Sequence, residues 1–257
     1  MNRSWRLGRI AGIDVYVHAT FLILLAYVAL PALLPGGSLA SAADGIALVL
    51  MVFTFVVLHE LGHDLVARRF GIATRDITLL PIGGVSRLER MPDDPRQELL
   101  VALAGPAVNA ILAAALYLCG RALGSDAIDG RSMWEGGLLA RLFWVNVSLA
   151  AFNLLPAFPM DGGRVFRSLL SLRMDRVKAT QIAARTGQVV AVLLAFVGLF
   201  ENPFLLLIAL FVWMGATQEA SAATAAQHPD GVPVLAVRPE HRTLTISNEF
   251  TRGRQKP

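Results

Sequence analysis

Six apolar runs, roughly Val17 to Leu34, Ile46 to Phe70, Leu99 to Leu123, Leu138 to Leu155, Ile182 to Phe200 and Phe204 to Ala216, are separated by short stretches that hold nearly all the charge. Several of them reach the length of about 20 residues that a helix needs to cross a hydrocarbon core. A water-soluble domain must keep a polar surface, whereas only 16% of this chain is charged and 55% is hydrophobic, with a mean hydropathy of +0.56. The expected fold is therefore an all-α membrane protein of about six transmembrane helices, with the lipid bilayer as its solvent. Residues 1–220 read as one polytopic domain, and residues 221–257 as a polar tail with no domain of its own.

The basic residues orient these spans. Arg3, Arg6 and Arg9 precede the first; Arg68 to Arg96 follow the second; Arg164 to Arg185 follow the fourth; and Arg238 to Lys256 lie in the tail. With six spans all of these share one side, leaving Arg121, Arg131 and Arg141 on the other. By the positive-inside rule the rich side is cytoplasmic, as are both termini. The chain is thus expected in a cell's inner membrane, and its preference for arginine over lysine hints at a GC-rich bacterial genome. The isoelectric point near 9.8 does not indicate a nucleic-acid partner, because the arginines form neither one patch nor one basic helix. The N-terminus also resembles a secretory signal with a cleavage site around Ser38 to Ala42, but its apolar run exceeds the roughly 7–15 residues usual for such signals.

Within the second run lies His59-Glu60-Leu61-Gly62-His63. On a helix the two histidines, four apart, project from one face one turn apart, where both imidazoles can hold one metal ion. Glu60, beside the first, is placed to take a proton from a water at that ion. Ionisable groups are costly inside a membrane span, which argues against a chance match. At 1.5 Å per residue His63 lies roughly 10 Å from the helix end near Phe70, so water needs a path to it.

A catalytic zinc site uses three protein ligands and leaves one position open. Cys119 is the sole cysteine, so no thiolate cluster is available. His228 and His241 lie in the tail and His18 at the opening of the first span. Among the carboxylates Asp161 stands out, in Asn153-Leu154-Leu155-Pro156-Ala157-Phe158-Pro159-Met160-Asp161-Gly162-Gly163. Two prolines and two glycines break the helix there, which at membrane depth is tolerated where the segment lines a cavity or is buried in protein. The plainer reading is an Asx turn before Gly-Gly. Between the second and third runs, Asp76 to Leu88 is apolar and interrupted by Pro81, Gly83 and Gly84, which suggests a short membrane-associated hairpin or strand.

These segments resemble the site-2 proteases, intramembrane zinc metalloproteases of peptidase family M50. The resemblance rests on His59 to His63, on the Asn-x-x-Pro-x-x-Pro-x-Asp-Gly pattern from Asn153, on Gly105-Pro106-Ala107-Val108-Asn109 and on Pro81 to Val85, and it covers most of residues 1–220. It implies one zinc ion held by His59, His63 and Asp161, Glu60 as general base, and Asn153 near the zinc contacting substrate or helping to polarise the carbonyl, the alternative for Asn153 being a bystander that hydrogen-bonds the broken helix. It also implies a transmembrane protein or peptide substrate, such as an anti-sigma factor or another membrane-tethered regulator. Two departures stand out: Asp64 occupies a position where the family usually has a small apolar residue, and the tail starts like a junction to paired CBS domains yet ends at Pro257. We read Asp64 as solvated or paired, for instance with Arg68, the alternative being a role supporting the metal ligands from behind, and Gly-Pro-x-x-Asn as helix packing through small residues.

A helical substrate has to unwind before its carbonyl can be attacked, and its freed main-chain groups then need partners. The strand-like residues around Ile82 to Ser86, Gly84 and Val85 among them, are expected to pair with it. Two other functions compete: a noncatalytic membrane scaffold that binds zinc, and a metal transporter. Glu60 favours hydrolysis over the scaffold, since a site that only binds needs no base, and no inverted repeat supports transport.

Overall fold

The computed structural model describes residues 4–34, 37–81, 83–123 and 136–227. In chain order the elements are β1 (Ser4–Ile10), β2 (Ile13–His18), α1 (Phe21–Ala29, running into a 3-10 turn at Leu30–Leu33), α2 (Leu39–Arg69), β3 (Thr74–Leu80) and β4 (Gly83–Leu88). They continue with α3 (Pro95–Ala122), α4 (Leu138–Asn153), α5 (Asp161–Ser171), α6 (Arg176–Phe200) and α7 (Phe204–Gln227).

Four helices, α2, α3, α6 and α7, are long and apolar enough to cross a membrane, so this is a multi-pass membrane protein. Two further apolar helices, Phe21–Ala32 and Leu138–Asn153, are shorter than such a span. On α6 and α7 large side chains such as Val192, Phe196, Leu199, Leu207 and Leu210 lie exposed, a distribution suited to lipid rather than water. The tail beyond Gln227, Arg131 and Ile82 lie outside the described residues.

The expected hairpin between the second and third runs is half of a larger sheet. Strands β1 and β2 pair antiparallel, β2 and β3 parallel, and β3 and β4 antiparallel, in the order β1-β2-β3-β4. Val17 and His18, expected to open the first span, instead end β2. Alternation along β2 and β3 turns Ile13, Val15, Ile77 and Leu79 inward onto Phe21 of α1 and Phe53, Val57 and Leu61 of α2. The Phe21 and Phe53 rings meet edge to face, 4.6 Å apart. This apolar layer fixes the sheet to the same helix that carries the two histidines, with β4 as an edge strand.

Helix ends follow local chemistry. Asp94 caps α3 by accepting the Arg96 N–H at 2.8 Å, with Pro95 at the first helical position. Helix α2 stops at Gly71, whose φ of 73° is the left-handed geometry that glycine adopts without strain, and Arg68 and Arg69 occupy its last turn.

An ion network centred on a buried pair ties four helices together. Glu98, in the first turn of α3, accepts from Arg167 of α5 and pairs with Arg176 of α6 at 3.3 Å, while Arg167 also reaches Glu219 of α7 at 3.1 Å. Glu98 and Arg167 are both buried. Removing one partner of such a pair leaves an uncompensated charge and costs about 3–5 kcal/mol, so the network holds α5 to α3 in one arrangement.

Candidate metal centre

The break after α4 is built to return the chain to α2. Asp161 opens α5, and the two glycines behind it permit a contact that no other residue allows. A Cβ at Gly162 would strike the backbone of Leu154 and Leu155, and one at Gly163 would lie 2.7 Å from Ala157 C and Phe158 N. Helix α5 therefore seats directly on the preceding loop, with Ala157, Phe158 and Met160 buried beneath it.

The result brings Asp161 Oδ2 to 3.2 Å from His59 Nε2 and 3.1 Å from His63 Nε2, while the two imidazole nitrogens stand 3.1 Å apart. All three residues are buried, and they form the group of potential ligands found among the described residues. A tetrahedral ion with ligands at about 2.0–2.1 Å has ligand-to-ligand edges of about 3.3–3.4 Å, so the triangle is close to metal size. Tautomer chemistry agrees. His63 Nδ1 lies 2.7 Å from the Val101 carbonyl, which accepts its N–H. In the neutral ring this leaves a lone pair on Nε2, facing another imidazole nitrogen and a carboxylate oxygen. His63 Nε2 and Asp161 Oδ2 are then two acceptors turned toward one point, which a cation between them or a proton on His59 Nε2 reconciles. His59 Nδ1 is buried without a hydrogen-bond partner among the described residues.

The floor of the triangle is Gly105 of α3. A Cβ there would fall on His63 Nε2 and lie 2.6 Å from His59 Nε2, so only glycine leaves the space open. The sequence reading of Gly-Pro-x-x-Asn as helix packing is incomplete: α2 and α3 do pack closely at Gly62, where a Cβ would meet Ala104 O at 2.9 Å, but Gly105 borders the ligand group itself. Its distance in sequence from the histidines hides that role.

A cleft of about 870 Å³ opens beside the triangle, lined by His59, Glu60, His63, Asn109, Asn153 and Asp161. Gly84 and Val85 of β4 line it as well. A Cβ at Gly84 would come within 3.0 Å of Glu60 Cγ, which places β4 directly against the motif helix. Asn153, the last residue of α4, is half-buried. Of the two expectations for Asp64 the structure shows pairing: it is buried, not solvated, and its Oδ1 accepts from Ser86 Oγ at 2.6 Å, a bond from α2 to β4.

Replacing Gly105 by alanine should push the imidazoles off the triangle. We expect Gly105→Ala to weaken zinc affinity about 10- to 100-fold while the protein stays folded, read by competition with a chromogenic chelator. Unchanged affinity would mean that the ion sits elsewhere.

Comparison with known proteins agrees with this geometry. The family model described as Peptidase family M50 matches residues 47–130 and 131–194. The chain is 39% identical over 221 residues to the zinc metalloprotease MJ0392 of Methanocaldococcus jannaschii, covering 86% of this chain and 61% of that protein. It is 30% identical over 157 residues to stage IV sporulation protein FB of Bacillus subtilis, covering 60% of this chain and 51% of that protein. The chain thus spans between half and two thirds of the length of these relatives. Among solved structures, the site-2 protease from Methanocaldococcus jannaschii superposes with a TM-score of 0.60 at 38% identity, covering 84% of this chain and 95% of that one. With a buried His-His-Asp triangle in the matched region, the chain belongs to peptidase family M50.

Proposed function

We propose that this protein is an intramembrane zinc metalloprotease that hydrolyses peptide bonds in or near transmembrane segments of other proteins. The observation that carries the reading is the convergence of three potential ligand atoms, with Glu60 adjoining, on a cleft that the edge strand β4 also lines. His59, His63 and Asp161 would hold one zinc ion. Bound there, zinc supplies a Lewis acid that polarises a carbonyl and makes water easier to deprotonate.

The remaining work falls to the chain's own residues. Glu60 receives the proton of the attacking water and delivers it to the departing amine nitrogen. Asn153, in the same cleft, is placed to donate a hydrogen bond to the substrate carbonyl. Strand β4 has no strand partner on its outer edge among the described residues, and residues Gly84 to Ser86 there would pair with a substrate drawn out of its helix. Val85, 45% exposed, is accessible for such pairing. The small size of Gly84 brings the strand close enough to Glu60 for an added strand to lie beside the metal.

The substrate class is a transmembrane protein or peptide, such as an anti-sigma factor or another membrane-tethered regulator. We place the chain in the inner membrane with Phe21–Ala32 and Leu138–Asn153 completing six passes, and with both termini and the segment around α5 cytoplasmic. The arginines that flank α2 and α5 support this orientation. A topology reporter fused at Arg173 should read cytoplasmic, and an external reading would refute the six-pass arrangement.

Base and ligand roles are separable, which gives the direct test. Glu60→Gln should retain zinc yet cleave about 10²- to 10⁴-fold more slowly, whereas Asp161→Ala should lose tight zinc binding as well. Bound zinc and peptide-bond cleavage are measured on each purified variant. Undiminished cleavage by Glu60→Gln would refute the hydrolytic mechanism.

A further inference from the structure

Asn109 is buried in the third helix, one turn beyond Gly105 on the same face, so its side chain starts about 6 Å along α3 from the floor of the metal triangle. Neither its Nδ2 nor its Oδ1 has a hydrogen-bond partner among the described residues, although both are shielded by protein. Asn146 of α4, also buried, donates from its Nδ2 to the Leu142 carbonyl at 2.9 Å, and of its two polar atoms only Oδ1 lacks a partner among the described residues. Asn109 makes no such bond back to its own helix. It lines the same cleft as His59, Glu60, His63 and Asp161.

A buried carboxamide with donor and acceptor both unpaired is costly to keep, and a packing role does not need one. Its chemistry matches one thing that the proteolytic reading brings to the cleft. In an extended chain, the N–H and C=O of a single residue point to the same side, one donor and one acceptor apart by the span of a carboxamide. A substrate strand laid along β4 satisfies one edge on the sheet. Its second edge faces away from β4, toward the rest of the cleft, and its main-chain groups need partners there.

We propose that Asn109 is a substrate-binding residue that hydrogen-bonds the main chain of the unwound substrate on the edge that β4 leaves free. The assignment rests on the proteolytic reading above. Enzyme and substrate each arrive with an unpaired amide, and each satisfies the other; selection acts on an extended backbone rather than on a particular side chain. The position of Asn109 one turn from Gly105 also gives Gly-Pro-x-x-Asn a single logic, with the glycine opening space for the ligands and the asparagine gripping the chain to be cut.

The test uses the full zinc-loaded chain in phosphatidylethanolamine and phosphatidylglycerol vesicles. The probe is a membrane-spanning peptide of leucine and alanine with a central Asn-Gly pair to ease unwinding, together with analogues in which one backbone amide outside the scissile bond is an ester. Asn109→Leu, close in volume and unable to hydrogen-bond, should keep its zinc and thermal stability but lose about 10- to 100-fold in kcat/KM. One ester position should slow the wild-type enzyme and slow Asn109→Leu no further, the coupling that a direct contact produces. If Asn109→Leu does not fold, the same ester series is read on Asn109→Ser. Cleavage by the variant within about twofold of wild type, or ester effects equal in both enzymes at every position, would overturn the assignment and leave the proteolytic reading standing. A wild-type enzyme that leaves every peptide intact would count against that reading, and the role of Asn109 would fall with it.

Discussion

Two imidazole nitrogens and a carboxylate oxygen are held 3.1–3.2 Å apart inside an apolar helix bundle, an arrangement that needs a cation or a shared proton among them. Much of the fold serves to make that triangle. Two of its corners come free with the period of α2. The third has to be carried back from a different part of the chain, and this explains why the helix after α4 is broken, why Gly162 and Gly163 follow Asp161, and why Arg167 on the same short helix is clamped to Glu98.

The same helix that carries the histidines also carries the sheet. Packing of Ile13, Val15, Ile77 and Leu79 onto α2 leaves β4 at the edge, and Gly84 lets it approach Glu60. The bond from Ser86 to Asp64 crosses the same interface and ties the strand edge to the helix that carries His59 and His63. An edge strand is ordinarily a hazard that proteins cover or charge. Here its open side looks onto a cleft, where an exposed row of main-chain groups is useful.

How much of this the sequence discloses depends on whether the information is local. His59 and His63 are legible because helical period alone makes them neighbours, and Asp161 because prolines and glycines interrupt an apolar run. Asp76 to Leu88 reads as extended for the same local reason. The N-terminal hairpin does not: its turn, Ala11-Gly12, with φ of 50° and 84°, lacks the usual Asn-Gly or Asp-Gly mark, and the arginines of β1 read as a charged leader. Partners far apart in sequence are equally hidden. Glu98 and Arg167 are 69 residues apart, and the arginine looks like one more topology marker until the fold buries it. Gly105 and Asn109 are legible only as small or polar residues on a helix face, because what they face comes from α2 and from the substrate cleft.

The central claim is that His59, His63 and Asp161 together hold one zinc ion, and X-ray absorption at the zinc edge of the purified protein tests it most directly. The account predicts one zinc per chain, with a first shell of nitrogen and oxygen only at about 2.0–2.1 Å and the outer-shell scattering of two imidazole rings. Sulfur scattering at about 2.3 Å, which would implicate Cys119 or Met160, or the signature of a single imidazole, would contradict it.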